Sequence, residues 1–442
     1  MSMHKPFTAG AAESDITPGQ SLFLYGYPHV PRQSAGVGDP LLASALFLDD
    51  GESSAVFAAA DVIFVPKDLA SRARRRIERA TGVPAAHVMT TATHTHSGPV
   101  TVKYLSNEAD PVVPDPDPRF LAQLEDGIVS AAAAACKSAQ PAEIGLALAD
   151  GSVVGGNRRD SGGPSNPLVP VLSVRAAADR APIAAMLVCS MHPTVLHEDS
   201  TLISGDFPAF ARRYLQRTVL GGRPVLHHTG PCGNQSPRHA ARENTFAEAQ
   251  RLGEALGASV EAALAKVQYT NDAAISCRNA MVDLPLRRFP TEEEAARQLL
   301  QVRERLERLR RESAPPGMVR TTECDWFGAE ETLVLARAAG GAGGALRAAA
   351  ARCLPAEIQA IRLGLWTFIG WQGEVFVEFA LRLRQTHPDC FVISLANGEL
   401  QGYLVTAEAA AEQGYEASNA LFRSPDSGEL LLRRTCELLD NW

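Results

Sequence analysis

Short apolar runs alternate with amphipathic stretches through the first third of the chain. SALFLDD (44–50) and SAVFAAADVIFV (54–65) are dense in apolar residues over strand-like lengths and predict strands. PKDLASRARRRIERATG (66–82) spaces its apolar residues for one helical face and closes on a glycine, which predicts a helix stopped at Gly82. AAHVMTTAT (85–93) predicts a further strand, a helix follows from about Arg119 to Lys137, and AEIGLALAD (142–150) predicts the next strand. The theme repeats with LVPVLSVRA (168–176), PIAAMLVCSMH (182–192) and RPVLHHTG (223–230) as strands and DFPAFARRYLQRT (206–218) as a helix. TEEEAARQLLQVRERLERLRRES (291–313) predicts a charged helix with a threonine cap and an acidic first turn. The low-complexity ARAAGGAGGALRAAAARC (336–353) predicts a flexible connection or surface insertion. Residues 290–353 thus form a helical excursion, after which strands return at 356–364, 365–373 and 390–397. The pattern alone gives mixed α and β, arranged as one composite domain over residues 1–442 with the chemistry on either side of the excursion.

Composition narrows the class. Hydrophobic residues make up 45% and charged residues 21% of 442, enough for a substantial core. The net charge of −8 and the lack of a basic stripe exclude an ordinary nucleic-acid binder. The cationic RARRRIERA (72–80) reads as a solvated helix face. The start of the chain has no signal-peptide core and no apolar run reaches membrane-spanning length, so a cytoplasmic protein without membrane insertion is expected. Eight cysteines without a CxxC pair are expected to be reduced thiols, which argues against a cysteine-built zinc site.

The candidate chemistry gathers at strand ends. TTATHTHSGP (90–99) sets His94 and His96 two positions apart, so that on a strand both rings would point the same way. The pair suits a metal or a reacting group, or else two satisfied polar residues closing a strand. His192 ends the run MLVCSMH, and Glu374 follows a glycine where a strand gives way to a helix. Separately, each has an ordinary structural reading as a cap or a first-turn acid. Together they suit a catalytic zinc with an open coordination position. Ser236, in the glycine-rich GPCGNQSPRH, is either a turn residue or a nucleophile among backbone N–H donors. His227 and His228 fall on opposite faces of a strand, so at most one of them could look into a site.

These segments in this order resemble the neutral, non-lysosomal ceramidases, which are zinc-dependent amide hydrolases. The resemblance rests on Thr93–Pro99, the histidine segment 191–206 with its SGD turn, Gly233–Pro237, Gly373-Glu374, Tyr403–Thr406 and Gln413–Glu416. ESDITPG (13–19), LYGY (24–27) and Asn157-Arg158 extend it to residues 8–420 or so. The resemblance implies two packed β-sheets flanked by helices. It also implies zinc held by His94, His192, Glu374 and Tyr403, with His96, Arg158 and Tyr415 around the reacting centre and Ser236 as nucleophile. A tyrosine ligand would not follow from the residues alone.

The chain departs from the family at SGPV, at HPTVL and at Arg238, where an asparagine is common, and no C-terminal β-sandwich domain is expected. The expected substrate is therefore a small-molecule amide, or an ester, more soluble than long-chain ceramide. Three alternatives stand beside this reading. The same zinc-serine site could work as an esterase or lactonase, and the fold could serve a non-catalytic binding protein. A TIM-barrel amidohydrolase also begins with His-x-His but would need eight βα repeats. Neither the acyl and amine parts of the substrate nor the oligomeric state can be read from the sequence.

Overall fold

In the structure, a computed structural model that describes residues 6–340 and 343–442, eight strands pair into one sheet. They are β1 (Thr8–Asp15), β2 (Leu42–Asp49), β3 (Ser54–Ala60), β4 (Val88–Ala92), β5 (Gln140–Asp150), β6 (Leu168–Ala176), β7 (Pro182–Cys189) and β8 (Val225–Thr229). Their spatial order is β8-β7-β6-β5-β1-β2-β3-β4. Neighbours run antiparallel except at the two ends, where β3–β4 and β7–β8 are parallel. A parallel pair needs a crossover. Helix α1 (Lys67–Thr81) supplies one; α2 (Pro118–Lys137) packs beside it, and α3 (Asp206–Thr218) supplies the other. α4 (Phe246–Leu264) lies against α3.

A second sheet holds β9 (Ile275–Val282), β10 (Ala356–Leu363), β11 (Trp366–Trp371) and β12 (Cys390–Ile393), in that order, with β11–β12 parallel. The sheets bury one core between them, where Phe57, Met89, Leu172 and Met186 meet Ile361, Phe368, Phe391 and Ile393. Each such side chain contributes about 2 kcal/mol when withdrawn from water. The arrangement is the expected pair of packed sheets flanked by helices, and its mostly antiparallel strands are not a TIM barrel.

The excursion consists of α5 (Glu292–Arg311), α6 (Pro316–Gly340) and α7 (Gly344–Cys353). A capping box between Thr291 and Glu294 starts α5. The expected flexible connection at 336–353 is instead the end of α6 and all of α7, apart from residues 341 and 342, which lie outside the described residues. Its alanines are strong helix formers, and this propensity overrides the low complexity. After the excursion α8 (Val377–Thr386), the short α9 (Ala407–Glu412) and α10 (Tyr415–Asn419), and α11 (Asp426–Asp440) complete the chain. No helix among the described residues is long and apolar enough to cross a membrane.

Two expectations need correction. The cationic face of α1 is only partly solvated: Arg74 is buried and donates to both Glu357 oxygens at 2.6 and 3.1 Å, tying α1 to β10. The apolar run 54–65 is not one strand. It leaves the sheet after Ala60, and its last residues turn their carbonyls toward His94.

Candidate metal centre and its cavity

The three parallel pairs share a property that the antiparallel strands lack: their carboxyl ends point at one place, as ligand crevices do in open α/β sheets. His94 follows β4, His192 follows β7, Ser236 follows β8 and Glu374 follows β11. His94 and His96 do not share a strand face as expected, because β4 ends at Ala92 and His94 adopts a left-handed backbone with φ +69°. That conformation is costly for a non-glycine residue and persists only where its surroundings impose it. Here the His94 amide donates to Val62 O at 2.9 Å and Nδ1 donates to Ile63 O at 2.8 Å. The His192 amide donates to Gln235 O at 3.2 Å, and Nδ1 lies 2.7 Å from Cys232 O and 3.0 Å from Gln235 O.

A ring nitrogen held against a carbonyl carries the hydrogen, so in the neutral form of either histidine Nε2 is the bare acceptor. Those two atoms face each other at 3.2 Å. Glu374 Oε2 stands 3.0 Å from the His192 atom and 3.2 Å from the His94 atom. Three such atoms at this distance are held together by a proton or a metal cation shared among them. Zinc bonds of about 2.0–2.1 Å set tetrahedral ligand atoms about 3.3 Å apart, close to the spacing seen. Burial, followed by the charge of Arg158, pushes His192 down to about 4. Burial works to raise Glu374, yet the two imidazoles hold it well below the usual carboxylate range. Neutral imidazoles and an ionised carboxylate are the forms that bind a metal. The residues fit the group.

His96 stands beside this corner. A ligand atom from each of His94, His96 and His192 lies within 4.8 Å of the others, so His96 is itself within reach of a metal. Its Nδ1 is 3.0 Å from Gly26 O, and its Nε2 is shielded from solvent with no partner. Buried Arg32 fixes the His96 carbonyl at 2.8 Å. Gly26 has φ +124°, and a Cβ there would come within 2.5 Å of His96 Nδ1, so only glycine leaves the ring in place.

Tyr403 pairs with Glu374 in a short parallel ladder, which carries both side chains to the same end of the cavity. Arg158 lies over the Tyr403 ring, 5.4 Å from its centroid, and donates from Nε to Glu416 at 3.0 Å. Its Nη2 is a buried donor without a partner. Tyr415 packs against Tyr403 with ring centroids 5.9 Å apart.

Ser236 is placed differently. Its backbone neighbour Gln235 holds His192, but its Oγ accepts from the Arg238 amide at 3.3 Å and has no histidine or carboxylate as a partner. His227 packs against Phe207 and His228 against Phe57 and Thr91, so neither looks into the site.

A cavity of about 80 Å³ opens from this corner. His94, His96, Glu374, Tyr403 and Tyr415 line it; Ser236 and Arg158 do not. Its far wall carries residues that the sequence reading passed over: His29, Asp110, and Phe327, Glu330 and Glu331 of α6. The excursion therefore walls the cavity and is not a surface appendage. The only signal was the break in the charged pattern after α5, where aromatic and acidic residues recur along α6.

No protein-family model matches the sequence, and no curated protein matches it. Solved structures do. The neutral ceramidase from Pseudomonas aeruginosa superposes with a TM-score of 0.76 at 19% identity, covering 98% of this chain and 74% of that one. A ceramidase complexed with C2 superposes at 0.73 with 17% identity, covering 98% and 76%. The chain has the fold of the neutral ceramidase structures, as its motifs implied.

Proposed function

We propose that this protein hydrolyses an amide bond of a small substrate at the corner formed by His94, His192 and Glu374, with zinc as its metal. The observation that carries the reading is the convergence of three metal-ligating atoms, His94 Nε2, His192 Nε2 and Glu374 Oε2, within 3.2 Å of one another, supported by a fold shared with amide hydrolases. Tyr403 is the proposed fourth ligand. Bound there, zinc would polarise the carbonyl or lower the pKa of a water toward 7.

The chain's own groups then have distinct tasks. Ser236 Oγ adds to the acyl carbon, the C–N bond breaks as the serine's proton passes to the departing amine, and water then cleaves the acyl-serine ester, one hydrogen returning to Oγ and the hydroxyl leaving with the acid. His96 Nε2, bare and held by Gly26, is placed to accept and return that proton. The unpartnered Arg158 Nη2 and the Tyr415 hydroxyl are the donors proposed for the developing oxyanion. Ser236 is the proposed nucleophile. In that role it would have to turn away from the Arg238 amide and lose its proton to a group that is not yet within hydrogen-bond distance. The cavity favours small substrates: about 80 Å³ walled by carboxylates does not suit a long alkyl chain.

The test is hydrolysis of N-acyl amides of graded chain length by the zinc-loaded protein, with matched esters alongside. Amide cleavage that falls with chain length supports the reading; cleavage of esters alone makes the protein an esterase, and cleavage of neither refutes the proposal. Ser236→Ala is expected to lower kcat at least about a thousandfold with zinc retained. Near-normal turnover would reduce Ser236 to the cap of its turn.

A further inference from the structure

The cavity has two chemically different ends. Opposite the metal corner stand Asp110 and Glu331, 6% and 8% exposed, and the more open Glu330. No lysine or arginine lines the cavity. Beside these carboxyls, among the described residues, stands His29, whose Nε2 lies 2.6 Å from Glu330 and whose Nδ1 lies 3.7 Å from Asp110. Three carboxyls thus face a single imidazole. Glu331 accepts from the Asn419 side chain and has no ion-pair partner among the described residues. Burial, and then the negative charge of Asp110, push its carboxyl up to about 8.

Glu331 therefore keeps its proton near neutral pH and Asp110 accepts from the His29 amide at 2.8 Å; a cation entering this end would meet Asp110 and Glu330 and favour loss of the Glu331 proton. Aromatic side chains line the same cavity: Tyr25, Phe64, Tyr104 and Phe327. Aromatic faces together with carboxylates suit an ammonium group, which gains from ring quadrupoles and from charge. The His96 ring lines the same cavity, and its enclosed Nε2 has no partner among the described residues, which leaves room for a ligand group beside the metal corner.

Resting on the amide-hydrolase reading, we infer that the acidic end receives a protonated amine carried by the substrate, so that the scissile amide belongs to an N-acylated diamine or a similar cationic amide. The acidic residues then set specificity: they draw in the ammonium and place the amide at His96 and the metal corner. A neutral lipid amide would gain no charge attraction from these carboxyls, and an anionic one would be repelled.

Binding tests this without relying on turnover. Calorimetry on the full chain at neutral pH compares butane-1,4-diamine with butane-1,4-diol. The diamine is expected to bind at least about tenfold more tightly. Glu330→Gln and Glu331→Gln are each expected to cut that preference about fivefold or more. The Glu330 side chain is 22% exposed, so its variant carries the test should the more buried Glu331→Gln fail to fold. Equal affinities, or a preference unchanged in the folded variants, would overturn the inference even if amides are hydrolysed. Diamine binding that depends on Glu330 in a protein that cleaves no amide would leave the acidic subsite standing and refute the proposed function instead.

Discussion

The two ends of the cavity are held by different means. At the metal corner the backbone does the work: carbonyls of Ile63, Cys232 and Gln235 fix both imidazoles, and these carbonyls belong to loops leaving parallel strands. At the acidic end side chains hold the α6 carboxyls, His29 against Glu330 and Asn419 against Glu331, and α6 itself packs against α5, α10 and residues 105–109. A group fixed by several backbone contacts is preorganised and tolerates little change. A group fixed by one neighbour can be altered by a single substitution. The corner is therefore suited to chemistry common to many substrates, and the acidic wall to choosing among them.

This contrast can be broken most severely at the corner. Glu374→Ala removes the carboxylate that faces His94 Nε2 and His192 Nε2 and is expected to lower kcat/KM at least about a thousandfold. A steady-state assay with one short N-acyl amide checks it, and activity within tenfold of wild type would contradict the assignment. A smaller loss, about a hundredfold and mainly in kcat, is expected for Arg158→Lys. Lysine keeps the charge but lacks the fork that leaves Nη2 free while Nε binds Glu416. A change in KM alone would make Arg158 a substrate-binding residue and not an oxyanion donor.

The smallest effect concerns the scaffold behind His192. Asp206 accepts from the Leu196 and Phe207 amides, and burial pushes it up to about 7. The folded protein therefore keeps its proton between about pH 4 and pH 7, where the unfolded chain has already released it. Stability falls as pH rises through that window and levels off above it. Asp206→Asn should flatten the dependence, since asparagine accepts the left-handed backbone of φ +57° there. Denaturant unfolding at pH 5 and pH 7.5 measures it; an unchanged pH dependence would show that Asp206 is ionised when folded.

Much of the corner was legible because its residues are rare types at punctuated places. His94, His192 and Glu374 each follow an apolar run that ends in a turn, and the structure brings them within 3.2 Å of one another. The reason given for the His94 and His96 pair was wrong in detail: a left-handed turn, not strand pleat, sets their rings 5.1 Å apart. Short strands with clean apolar patterns, such as β6 and α3 among the helices, kept their expected bounds. The edge strand β9 was missed because six of its eight residues are only partly covered or exposed, so it carries no alternation. The acidic wall was hidden for a related reason. Glu330 and Glu331 read as solvated helix positions, and only packing of α6 against α10 and residues 105–109 turns them inward. Sequence spacing reports which face of an element is apolar, not what the opposite face meets.

The most direct test of the central claim is the metal content of the purified protein and its variants, measured by inductively coupled plasma mass spectrometry after purification without chelators. Wild type is expected to hold about one zinc per chain, and His94→Ala and His192→Ala far less, with Ser236→Ala unchanged. Full zinc occupancy in both folded histidine variants, or a zinc-free wild type that hydrolyses amides, would contradict it.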